Sequence, residues 1–114
     1  MLRAITILAL LFSLNACQSE APIPVCIENL IAEWESNPVT NPPSSVFQYE
    51  YNGMMVYYLP PMNGDIYSNL YNENCEIICH PDGGLTGTGD GQCPDFAKMR
   101  KNERLVWKDM REAN

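Results

Sequence analysis

Val46-Phe-Gln-Tyr-Glu-Tyr51, Asn52-Gly53, Met54-Met-Val-Tyr-Tyr-Leu59 is the stretch from which the fold is read. Two runs rich in aromatic and β-branched residues flank an Asn-Gly pair, which favours the positive φ angles of a two-residue type I′ turn. The stretch therefore predicts a β-hairpin with Tyr51 opposite Met54. That register places Phe47, Tyr49, Tyr51, Met54, Val56 and Tyr58 on one face. We expect this face to be the core side, with Gln48 and Glu50 marking the other. Pro60-Pro61 ends the second strand.

Upstream, Ile27, Leu30, Ile31 and Trp34 recur at i, i+3, i+4 and i+7, one face of an amphipathic helix. The spacing predicts a helix over Val25 to Ser36, opened by Pro24, carrying Glu28 in its first turns and closed by Asn37-Pro38. Residues 37–45 hold three prolines and read as a connector. Downstream of the hairpin, Asp65 to Tyr71 and Glu76 to Cys79 predict a second hairpin about Asn72-Glu73-Asn74. A glycine-rich loop then runs to Cys93. Pro94-Asp95 caps a short helical turn through Met99, and Leu105-Val106-Trp107 reads as a closing strand; one helix from Asp95 to Met110 is the alternative. The fold class is α+β: one N-terminal helix on a small, hairpin-built antiparallel sheet, a single domain over residues 25–114.

The first residues carry a different signal. Met1-Leu2-Arg3, an apolar run from Ala4 to Leu14 and Asn15-Ala16-Cys17 follow the order of an export signal. The apolar run is shorter than the roughly 20 residues of a membrane-spanning helix. Leu14-Asn15-Ala16-Cys17 resembles the lipobox of bacterial lipoproteins, with Asn two places before the cysteine as a departure. The resemblance implies cleavage after Ala16, lipid on Cys17, and a tether over residues 17–24. At about 0.8 kcal/mol per buried methylene, two or three acyl chains hold a protein on a membrane durably. It also implies a bacterial cell-envelope address, in the outer membrane, on its periplasmic face or at the surface.

With Cys17 assigned to lipid, Cys26, Cys75, Cys79 and Cys93 remain. An even number in an exported chain predicts two disulfides. A Cys79–Cys93 bond would close a loop of about 15 residues, on the order of 3 kcal/mol by chain entropy. Cys26–Cys75 would then clip the helix to the sheet; the other two pairings stay open. Fewer than a hundred residues follow the signal, a small core for which such staples matter.

Charge is unevenly placed. From Gln18 to Asp95 there is no Lys or Arg against eleven Asp and Glu, while Lys98, Arg100, Lys101, Arg104, Lys108 and Arg111 crowd the end. The formal net charge is −7. An acidic body repels nucleic acid and anionic headgroups, so neither is an expected partner. The basic end reads first as a solvated face.

The loop Cys75 to Cys93 contains most of the chain's glycines, yet Asp90 follows Gly89 where a phosphate-binding loop needs Lys, so we expect no nucleotide. Cys75, Cys79, His80 and Cys93 would make a Cys3His set, but their spacing matches no common zinc module and an oxidising setting favours disulfides. Asp82, Asp90 and Asp95 offer oxygen ligands for calcium without a calcium-loop spacing; Asp-Gly is first a turn dipeptide. One histidine and no free thiol leave little for catalysis. We expect no enzyme, no cofactor and no resident metal. His80, Asp82 and Asp90 are the candidate contact residues, on a constrained acidic loop. Tyr57 and Tyr67 are candidates for exposed tyrosines suited to protein or glycan contact.

Cys26 at the helix start, Tyr51-Asn52-Gly53 with Val56-Tyr57, Leu70-Tyr71-Asn72-Glu73-Asn74-Cys75 to Ile78-Cys79, the loop ending at Cys93 with Phe96, and Leu105-Val106-Trp107-Lys108 together resemble a family of small bacterial lipoproteins known as a domain of unknown function. Met62 to Gly64 departs from that pattern, lacking a cysteine that some relatives carry there. The resemblance brings no activity or catalytic residues. It strengthens only the architecture and the exported, anchored address; on the residues themselves we expect a noncatalytic module that binds a protein or a glycan. Two other readings are a small inhibitor of an exported hydrolase, presenting the Cys79 to Cys93 loop, and a calcium-binding structural lipoprotein.

Overall fold

In the computed structural model the described residues are 22–62 and 65–112. The residues read as an export signal, Cys17 and most of the expected tether lie outside them. Helix α1 covers Val25–Ser36, as the apolar spacing predicts. Its first turn closes on the Pro24 carbonyl, which accepts from the Ile27 and Glu28 N–H groups at 3.0 and 3.1 Å. Proline supplies that carbonyl while fixing its own φ near the value needed at a helix start.

Five strands follow: β1 (Ser45–Tyr51), β2 (Met54–Leu59), β3 (Asn69–Tyr71), β4 (Ile77–Cys79) and, after the one-turn helix α2 (Phe96–Met99), β5 (Lys101–Lys108). They form one sheet in the order β4-β3-β2-β1-β5, every neighbouring pair antiparallel. Asn52 and Gly53 have φ of 50° and 75°, the type I′ pattern, and Tyr51 pairs with Met54. The second hairpin forms about the expected turn, but its first arm begins at Asn69 rather than Asp65 and its second at Ile77. The Asn72 side-chain oxygen accepts from the Asn74 and Glu76 N–H groups at 2.9 and 3.0 Å, organising the turn locally.

Of the two readings of the C-terminal segment, the short helical turn with a closing strand is the one realised. Phe96 is buried among Tyr49, Tyr51 and Tyr58, whereas Val106 and Trp107 pack with α1 on the opposite face of the sheet. No single helical stripe could serve both places. Laying β5 along β1 instead pairs backbone groups that would otherwise face solvent.

The hairpin departs from its expected one-sided burial. Phe47, Tyr49, Tyr51, Val56 and Tyr58 do point into one core, with Leu70, Cys79, Cys93 and Phe96. The other face is buried as well: Val46, Tyr57 and Leu59 pack against Ile27 and Ile31 of α1. Gln48 is buried on that face and donates its Nε2 hydrogen to the Tyr57 hydroxyl at 2.9 Å. A polar residue whose hydrogen bond is made inside does not mark solvent. Tyr57, read as a possible surface tyrosine, is therefore core, while Tyr67 is half exposed. Met54, beside the Asn52-Gly53 turn at the tip of the hairpin, is exposed despite its register.

Both staples form, and the pairing is Cys26–Cys75 and Cys79–Cys93. The first clips the start of α1 to the β3–β4 turn. The second joins the end of β4 to the segment before α2. The C-terminal end returns to α1: Trp34 and Trp107 stack at 6.2 Å, and Arg111 bridges the Asp109 carboxylate at 2.7 Å while donating to the Glu35 carbonyl at 3.0 Å. Among the described residues no helix is long and apolar enough to cross a membrane.

Candidate functional site

The loop between Cys79 and Cys93 owes its shape to glycines and to internal bonds. Gly83, Gly84, Gly87, Gly89 and Gly91 all have positive φ. Gly89 is the most constrained, because a Cβ there would lie 2.1 Å from the His80 carbonyl oxygen. Its N–H bonds to the Gly83 carbonyl at 3.1 Å, and the next residue's to the His80 carbonyl at 2.9 Å. Leu85 sits at the tip, 92 % exposed, in a turn closed by the Gly87 N–H on the Gly84 carbonyl at 3.1 Å.

The three residues that sequence reasoning placed at the contact surface act largely inside this loop. One Asp90 carboxylate oxygen accepts from the His80 N–H at 3.1 Å and the other from the Gln92 N–H at 3.0 Å. The Gln92 bond is the largest cause of a lowered Asp90 pKa. His80 holds the Ser68 carbonyl through Nδ1 at 2.8 Å and stacks on Tyr67, ring centroids 5.3 Å apart. Both Asp82 carboxylate oxygens accept from the Tyr58 hydroxyl at 2.8 Å, and its backbone N–H donates to the Ser68 hydroxyl at 3.0 Å. Of the three, Asp82 also faces a cavity.

That cavity is a groove of about 340 Å³ between the loop, β1, β2 and α2. Its chemistry comes from Phe47, Tyr49, Tyr58, Asp82, Arg100 and Glu103. The Arg100 guanidinium lies over three aromatic rings, 4.6 Å from the centroid of Tyr49, 5.4 Å from Phe96 and 5.9 Å from Tyr58. Among the described residues it makes no side-chain hydrogen bond or ion pair. Its five N–H donors thus stay available while the rings hold its position. Asp82 and Glu103 line the same groove, and Glu103 accepts from the Tyr49 hydroxyl.

These tyrosine–carboxylate pairs keep the phenols neutral. Burial, then the hydrogen bond to Glu103, pushes Tyr49 up to about 12, against the opposing pull of Arg100. Burial, then Asp82, raises Tyr58 still further. Tyr51 beside the groove is raised chiefly by its 2.6 Å bond to Asp95. Neutral phenols that only donate leave each carboxylate with further acceptor sites for something in the groove.

Sequence reasoning did not pick out Arg100, Glu103 or Phe47. Arg100 looked like one of six clustered cations. Its spacing four residues after Phe96 was the one local sign that its side chain would fold back over the aromatic core. Asp95, considered as a calcium ligand, is instead engaged by Tyr51. Cys26, Cys75, Cys79 and Cys93 are all in disulfides, so among the described residues no thiolate is left for a Cys3His site. No group of three or more His, Cys, Asp or Glu able to hold a metal ion occurs among the described residues.

Comparison with known proteins gives one match, to a family model described as Domain of unknown function (DUF6970), over residues 32–109. The chain belongs to that family. The matched span takes in the sheet, the whole Cys75 to Cys93 loop and every groove residue, so the site lies within what defines the family. It begins after Cys26, leaving the first half of α1 outside. No curated protein and no solved structure matches the chain.

Proposed function

We propose that this DUF6970 protein is a lipid-anchored bacterial cell-envelope lipoprotein whose domain is a noncatalytic binding module for a protein or glycan partner. The observation that supports it most is the Arg100 guanidinium, seated over the rings of Tyr49, Phe96 and Tyr58 in a groove that Asp82 and Glu103 also line, and making no side-chain hydrogen bond or ion pair among the described residues. Charged groups held in place by the scaffold lose little entropy when a ligand arrives, which is how a small rigid domain gains affinity. The address is supported by the lipobox-like Leu14-Asn15-Ala16-Cys17 and by two disulfides, which suit an oxidising compartment.

Two measurements test the proposal. Labelled palmitate should enter the wild-type chain in growing cells and be lost in Cys17→Ser; labelling that survives the substitution removes the anchor. The full chain, immobilised and exposed to detergent-solubilised envelope, should retain a partner that Arg100→Gln does not. A partner held equally by both variants places the binding face elsewhere.

A second reading rests on Leu85. An apolar side chain 92 % exposed on a bonded, stapled loop suits insertion into the cleft of an exported hydrolase. That reading expects inhibition of a leucine-accepting protease, abolished in Leu85→Ala.

A further inference from the structure

We infer that the groove beside Arg100 takes a neutral saccharide of one or two rings. The inference rests on the binding-module reading and names its ligand class.

Its charges narrow the choice. Two carboxylates, Asp82 and Glu103, and one guanidinium, Arg100, line the same groove. An anionic ligand drawn to Arg100 would meet two like charges on a body of net charge −7. A cation drawn to the carboxylates would meet Arg100, already seated over Tyr49 at 4.6 Å. A lipid tail would cover all three charged groups without satisfying any of them, and burying an unpaired charge is costly. A neutral ligand with closely spaced hydroxyls has neither problem. Hydroxyl hydrogens can donate to Asp82 and Glu103, and hydroxyl oxygens can accept from the guanidinium.

The apolar lining fits the same ligand. Phe47 is half-buried in the lining, its ring centroid 6.3 Å from that of Tyr49, and Pro60 and Pro81 line the groove with it. The C–H faces of a sugar ring pack on such surfaces while its edge hydroxyls reach the charged groups. About 340 Å³ is at the small end of the roughly 300–1,000 Å³ typical of small-molecule sites.

The polar groups are also oriented before any ligand binds. Tyr58 holds Asp82 through two contacts of 2.8 Å, Tyr49 holds Glu103, and the aromatic shelf holds Arg100. The groove lies against the Cys79–Cys93 staple through Pro81, Asp82 and Phe96, so it can persist in the free protein.

The test uses the full chain, isotope-labelled, in a detergent without sugar headgroups. Maltotriose, cellotriose and the trimer of N-acetylglucosamine are the neutral probes; trigalacturonate is the anionic probe and the tripeptide Lys-Glu-Lys the charge-matched peptide. At least one neutral trimer should shift the Arg100 Nε–H and Phe47 ring signals saturably at millimolar concentration, and trigalacturonate should not. Removing a charge-assisted donor should weaken that binding at least about tenfold in Arg100→Gln. Glu103→Gln keeps an acceptor for Tyr49 on an exposed side chain, so it should leave the backbone spectrum intact and weaken the sugar several-fold. Neutral trimers that shift nothing in the groove overturn the inference, as does sugar binding unchanged in both variants. Groove shifts with Lys-Glu-Lys alone overturn the saccharide and leave the binding module standing with a peptide partner.

Discussion

Gly89 and Gly87 share a backbone conformation, with φ of 71° and 75°, but not an environment. Replacing either by alanine forces a side chain into the left-handed region, at about 1–2 kcal/mol. At Gly87 nothing lies within 4 Å of the new Cβ, so that strain is the whole effect. At Gly89 the Cβ would meet the His80 oxygen at 2.1 Å, the Pro81 carbonyl carbon at 2.6 Å and the Asp82 nitrogen at 2.7 Å, all backbone atoms that cannot swing aside. Relief means moving the loop away from residues 80–82. That breaks the bonds from Gly89 N–H to the Gly83 carbonyl, from Asp90 N–H to the His80 carbonyl and from His80 N–H to Asp90. At about 1 kcal/mol for each bond on top of the strain, Gly89→Ala should cost roughly 4–5 kcal/mol in all. Equilibrium urea unfolding followed by tryptophan fluorescence measures both variants. Gly89→Ala should fall at least about 2 kcal/mol below Gly87→Ala. Losses equal within about 0.5 kcal/mol would refute the claim that the loop is packed on residues 80–82.

The staples and the tyrosines give two more expectations. Cys26–Cys75 spans 49 residues, so Cys26→Ala with Cys75→Ala should cost about 4 kcal/mol in urea unfolding by chain entropy; a loss under about 1 kcal/mol would mean that the bond is not closed. Cys79–Cys93 spans 14 and should cost about 3 kcal/mol, with a further loss because both cysteines are buried. Tyr49 ionises near 10 when unfolded and near 12 when folded, so the unfolded chain releases its proton first. The stability it contributes is complete below pH 10 and lost as pH rises to about 12, by roughly 2 kcal/mol. Unfolding midpoints across that window should fall less steeply in Tyr49→Phe than in the wild type, and equal slopes would contradict the shift.

Local chemistry made most of the fold legible. Asn52-Gly53 set the central register, the spacing of Ile27, Ile31 and Trp34 set α1, and an even cysteine count set the staples, leaving only their pairing open. The two-sided burial of the hairpin was not legible, because Gln48 looks like a surface residue until Tyr57 is seen to receive its hydrogen bond. The groove was hidden for a related reason. Phe47, Asp82 and Arg100 are far apart in sequence, and only the antiparallel return of the chain brings them to one cavity. His80 and Asp90 stood out because polar residues in a glycine loop look available, yet both are engaged in holding the loop's own shape.

The central claim, that the chain works by binding through the groove beside Arg100, is tested most directly by photo-crosslinking in living cells. A benzophenone amino acid placed at position 47, half-buried in the groove's lining, is compared with one at position 33, on the exposed side of α1. The account predicts a discrete adduct from position 47 that Arg100→Gln abolishes, and none from position 33. An adduct from position 33 with position 47 silent would contradict it.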